Sequence, residues 1–192
     1  MSWYRFVVTA ICTAVLFPSP LSAQTFPRGA AAPPCQVSGG GCINVPGQPP
    51  RHVQATFGGT VSQEGGTWEH VYRDGRTILF SFRSVDARVS VCRPDPNGAC
   101  RPPGMASRAE MTGTGTFTTA TDSMLTDGNF LVELFDKGSC EGEARDSYSI
   151  TVRRGLVVGQ GEVVHTMAGD LACGNLRIDA PWSGSDGRPS PE

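Results

Sequence analysis

The sequence predicts an all-β fold, an antiparallel small β-barrel or β-sandwich of about eight to nine strands stapled by disulfides. Three observations lead there. Apolar and polar residues alternate with period 2 in one short run after another, as half-buried strands require. The 24 Gly and 15 Pro among 192 residues interrupt helices repeatedly, yet 39% apolar residues leave enough to build a core. Seven cysteines become six once an export segment is removed, an even count that reads as disulfides in an oxidising compartment. Charge adds an exclusion. With 16 Lys+Arg against 18 Asp+Glu and a net charge of −2, no clustered basic surface exists for a phosphate backbone, so nucleic acid is not an expected partner.

Residues 6–17 form an apolar run with Arg5 ahead and Leu21-Ser22-Ala23 behind, the pattern of a secretory signal peptide spanning residues 1–23. The run is too short to cross a bilayer, and Pro18 and Pro20 end it. Position 24 is Gln rather than Cys, so no lipid attachment is expected, and the mature chain is predicted to be secreted or periplasmic without a membrane anchor. Residues 24–51, rich in Pro and Gly, read as an arm or linker. The folded unit is expected over residues 52–179, and residues 180–192 as a flexible tail.

Within the folded unit, Ile78, Phe80 and Phe82 alternate with Thr77, Ser81 and Arg83. Tyr148, Ile150 and Val152 alternate with Ser147, Ser149, Thr151 and Arg153. Phe130, Val132 and Leu134 alternate with Leu131, Glu133 and Phe135, apolar on both faces, which places that strand centrally or under a loop. Asp74-Gly75 marks a tight hairpin between residues 68–72 and 77–83, because Gly accepts positive φ. Gly155 separates the strand ending at Val152 from Leu156-Val157-Val158. Further strands are expected over 53–61, 87–92, 108–117, 160–165 and 175–178. A membrane-spanning barrel is disfavoured, since the strands are short and their outward faces carry Arg, Glu and Ser.

The six remaining cysteines are Cys35, Cys42, Cys92, Cys100, Cys140 and Cys173. They allow 15 pairings. Locality favours Cys35 with Cys42, Cys92 with Cys100 and Cys140 with Cys173, because short loops close at small entropic cost. The spacings lack the close Cys and His pairs of a zinc site, and no metal is assigned to them.

The order of motifs is more specific than any one of them. Ala55-Thr56-Phe57-Gly58 opens the unit, residues 111–117 read MTGTGTF, residues 130–136 read FLVELFD, residues 146–152 read DSYSITV, and Gly174-Asn175-Leu176-Arg177-Ile178 closes it. This succession resembles the post-COAP-1 domain of secreted bacterial proteins over roughly residues 52–179. Gly59 stands where that family has a second aromatic, and residues 92–100 look like an insertion. The resemblance implies an all-β extracytoplasmic module and carries over no catalytic residue.

Chemistry is sparse. Of the three histidines, His52, His70 and His165, none sits in a nucleophile motif, and no catalytic set is singled out. Trp68, His70 and Tyr72 share one strand face and form a candidate ligand face. On the same alternation His165 shares a face with Val163. Asp136, Glu141, Glu143 and Asp146 form a candidate calcium loop of hard oxygen ligands, although Lys137 and Arg145 offer simpler partners. Calcium is thus the one cofactor considered. The leading functional expectation is a non-enzymatic structural or interaction module facing an extracytoplasmic protein. The runners-up are a small barrel holding an apolar or sugar ligand, and a secreted hydrolase.

Overall fold

The computed structural model describes residues 35–44, 53–94, 105–138 and 145–179. The signal peptide, most of the arm, the tail, His52, Cys100, Cys140, Glu141 and Glu143 lie outside the described residues.

Eight strands follow in chain order: β1 (Gln36–Asn44), β2 (Val53–Ser62), β3 (Gly66–Asp74), β4 (Thr77–Arg93), β5 (Arg108–Thr119), β6 (Asp122–Phe135), β7 (Ser147–Arg154) and β8 (Val163–Asp179). Each pairs antiparallel with its neighbour, and β1 pairs with β8, closing a barrel. Closure decides between barrel and sandwich. It also gives every strand a hydrogen-bonded neighbour on both sides, over part of its length at least.

The register shows one consistent interior. Ala55, Phe57, Gly59 and Val61 of β2 face Tyr72, His70, Trp68 and Gly66 of β3. Phe130, Val132 and Leu134 of β6 face Val152, Ile150 and Tyr148 of β7. These positions supply most of the buried core. Large inward rings are accommodated opposite glycines: Trp68 opposite Gly59, Phe57 opposite Gly41, Phe130 opposite Gly113 and Tyr148 opposite Gly169. A barrel this narrow is filled when small and large residues alternate around its circumference.

That packing explains why β1 escapes the periodicity, and it corrects the arm reading for residues 36–44, which are a strand of the barrel wall. Its inward positions are Val37, Gly39, Gly41 and Ile43, so two of four carry no side chain. Gly39 takes φ 126°, and a Cβ there would collide with the carbonyl of Asn175. Glycine is needed for the close approach of β1 to β8.

Two expected pairs of strands are single 17-residue strands. β4 absorbs both 77–83 and 87–92 through register shifts near Val85 and Ser90, and β8 runs unbroken from 163 to 179. A bulge lets a strand turn with the barrel wall without ending. Bulges also correct two facing assignments. The shift between Tyr72 and Arg73 turns Ile78 outward, and the one between Val152 and Arg153 separates Val163 from the inward His165. Leu156-Val157-Val158 forms no strand but an exposed part of the 155–162 connection. Leu131, expected to be covered, is exposed on the outer wall. The Asp74-Gly75 expectation holds: Gly75 takes φ 54° in the two-residue turn between β3 and β4.

The disulfides are Cys35–Cys92 and Cys42–Cys173, overturning the local pairing. The reason is geometric. Seven residues along an extended strand cover roughly 23 Å, far beyond the ~7 Å limit between bridged Cα atoms, so Cys35 cannot reach Cys42 once 36–44 is a strand. Cys42 instead meets its register partner Cys173 across the seam that closes the barrel.

Candidate functional site

The interior holds a connected polar chain. Trp68 and His70 of β3, Tyr148 of β7 and His165 of β8 converge although 95 residues separate the two histidines. Trp68 Nε1–H donates to Tyr148 Oη at 3.5 Å, Tyr148 Oη lies 3.2 Å from His70 Nδ1, and His70 Nε2 lies 3.0 Å from His165 Nε2. The indole can only donate, which sets the direction of the rest. If Tyr148 gives its proton to His70 Nδ1, then His70 carries its proton on Nε2 and donates to His165 Nε2. The reverse order would leave the buried phenol proton without an acceptor among the described residues, so the first arrangement satisfies every group.

Aromatic rings clamp this chain. Phe57 stacks on Tyr148 with centroids 3.8 Å apart, and Phe80 stacks on His165 at 4.1 Å. Burial lowers His70 to about 3, with the neighbouring His165 charge adding to the effect, and burial lowers His165 to about 4. Burial also pushes the Tyr148 phenol well above its usual value, against the opposing hydrogen bond from Trp68. Both imidazoles are therefore neutral at pH 7. Among the described residues no hydroxyl other than Tyr148, no thiol and no carboxylate is hydrogen-bonded to either histidine, so the arrangement lacks the nucleophile of a hydrolytic triad.

Of the predicted ligand face, Trp68 and His70 are fully buried and Tyr72 is half-buried against His165. These side chains fill the barrel. Three depressions lined by described residues, of about 320, 200 and 320 Å³, lie on the outer wall or at the rims, and none is lined by Trp68, His70 or Tyr148.

Asp136 and Asp146, the two described residues of the candidate calcium loop, accept main-chain hydrogen bonds. β7 stops opposite Asp170, so the lower half of β8 has β1 on one side and no strand on the other. Asp146 supplies its carbonyl to Leu171 N–H at 2.8 Å and Oδ2 to Leu176 N–H at 3.1 Å, while Asp136 Oδ2 accepts from Ile178 N–H at 3.0 Å. Their other oxygens accept from Lys137 N–H and Gly138 N–H. The two buried aspartates thus replace a missing strand as acceptors. No group of three or more His, Cys, Asp or Glu converges as a metal set among the described residues.

Two features escaped the sequence reading. Asn129, buried on the outer wall, donates to the carbonyls of Gly155 and Gln160 and accepts from Gly159 N–H, fastening the 155–162 connection. The exposed apolar residues are also unevenly distributed. Of ten large exposed apolar side chains among the described residues, seven lie at the rim formed by the β3–β4, β5–β6 and β7–β8 connections. They are Ile78 at the start of β4, Met124 and Leu125 (74% and 73% exposed) at the start of β6, Leu156, Val157 and Val158 in the fastened connection, and Val163 at the start of β8. A protruding Leu-Val-Val triplet beside Gly155 was the available signal.

No protein-family model, curated protein or solved structure matches the chain. The two intramolecular disulfides are compatible with an extracytoplasmic location.

Proposed function

We propose that the protein is a secreted or periplasmic, non-enzymatic interaction module that engages a partner protein through the apolar rim. The concentration of exposed apolar side chains at that rim carries this reading. Scattered exposed apolar residues are ordinary on a protein surface, whereas their concentration in and beside the connections at one end of a barrel favours a contact surface. The fastening of 155–162 by Asn129 supports it, because a contact loop held in one conformation loses little entropy on binding. The filled interior weighs against a ligand cavity, and the absence of a nucleophile beside the histidines among the described residues weighs against hydrolysis. The signal-peptide pattern and the disulfides favour export, and the resemblance to the post-COAP-1 domain agrees with a module of this kind.

A photo-reactive amino acid at position 157, expressed with the full chain in its host, tests the reading. A discrete adduct of fixed mass is expected from position 157 and none from position 88 on the exposed outer wall. Adducts from both positions, or from neither, would overturn it.

A further inference from the structure

We propose that Cys42–Cys173 is a thiol–disulfide exchange site, open to a dithiol partner at Cys173, while Cys35–Cys92 is closed to exchange. Access separates the two bonds. Cys173 is exposed and lines the polar depression of about 320 Å³ with Gly138, Arg145 and Asn175, whereas Cys42 is buried. Cys35 is 3% exposed and Cys92 half-buried, and neither lines a depression described above. Exchange proceeds by in-line attack of a thiolate on one sulfur, so a bond with one open and one buried sulfur has a defined direction of attack.

The chemistry balances without a further reactant. A partner thiolate attacks Cys173 Sγ, the sulfur–sulfur bond breaks, and Cys42 leaves as a thiolate that takes up a proton. The partner's second thiol, deprotonated, attacks its own sulfur in the mixed disulfide and releases Cys173. The chain gains two thiols and the partner is oxidised to a disulfide. Arg145 at the edge of the depression favours an approaching thiolate, and above all an anionic thiol. Location gives the exchange a consequence. The bond joins the strands that close the barrel, beside the register shift after Cys42, where the next inward pair is Gly41 and Gly174. On that side the bridge and the backbone ladder hold the seam without paired side chains, while on the other side Ile43 pairs with Leu171.

The oxidised full-length protein is exposed to reduced dithiothreitol, quenched with iodoacetamide over time and mapped by peptide mass. Cys42 and Cys173 are expected to be alkylated at least tenfold faster than Cys35 and Cys92. Equal rates, or the reverse order, overturn the proposal. The direction of attack is tested with single variants and oxidised glutathione: Cys173 in Cys42→Ser is expected to form the mixed disulfide at least tenfold faster than Cys42 in Cys173→Ser, and equal rates refute it. Arg145→Glu is expected to slow reduction by glutathione several-fold and to leave reduction by neutral dithiothreitol unchanged; equal effects on both remove the role of Arg145. Should the cysteine variants fail to fold, the kinetics of the unaltered protein still decide.

Discussion

The two halves of β8 are built on opposite terms. Residues 171–179 are held on every side: β1 pairs along one edge, the aspartates at 136 and 146 serve the other, and Cys173 is bridged to Cys42. Residues 163–170 run beyond the reach of β1, pair with β7 alone, and send His165 inward to the Tyr148–His70 chain, while Val163 joins the apolar rim. One strand thus has a half secured by covalent and charged contacts and a half secured by stacking and neutral hydrogen bonds. The second kind depends on protonation state, and the first on redox state.

The contrast can be broken from either end. The largest effect is expected from Cys42→Ala with Cys173→Ala. A bridge spanning 131 residues restrains the unfolded chain by about 5 kcal/mol in the loop-closure model, and a urea titration should show that loss. The next effect is acid sensitivity. Both imidazoles have folded values depressed below 6.5, so the unfolded chain binds protons first as the pH falls. Stability is fully present above about pH 6.5 and declines toward pH 4, by about 1.4 kcal/mol per pH unit for each imidazole and on the order of 4 kcal/mol in all by pH 5. Unfolding titrations at pH 7, 6 and 5 measure this slope, and His165→Leu should reduce it by about half. An unchanged slope would mean that the pair does not govern it.

Asp146→Ala should cost about 2–3 kcal/mol, because it strands the amides of Leu176 and Lys137. Asp146→Asn keeps one carbonyl acceptor and should cost less than half as much. Added calcium should leave the thermal midpoint of the unaltered protein unchanged if the two carboxylates are strand acceptors only. The smallest effect is expected at the rim. Leu156→Ser with Val158→Ser should alter stability by less than about 0.5 kcal/mol while abolishing the adduct from position 157. A large destabilisation would show these side chains to be part of the fold and not a contact surface.

Much of the barrel was legible because inward positions on β3, β4, β6 and β7 carry large apolar side chains at period 2. Trp68, Phe82, Phe130 and Tyr148 announce the core one strand at a time. β1 was not legible, since two of its inward positions are glycines, Gly41 leaving space for the Phe57 ring and Gly39 allowing the close approach of β8. Nor was the histidine pair. His70 was placed on its aromatic face correctly, but its partner is 95 residues away and meets it only across the closed barrel. That Asp136 and Asp146 accept from amides of β8 was not legible either, because the unpaired edge they serve exists only once the barrel has closed.

Alternation and composition determined the strand-forming class, the hairpin at Gly75 and most of the inward side chains, because these follow from neighbours within a few residues. Closure, register shifts and the disulfide partners were decided by tertiary structure alone. Each depends on which distant strand lies alongside, and a one-residue bulge is enough to reverse a side chain's face without leaving any mark in the local pattern.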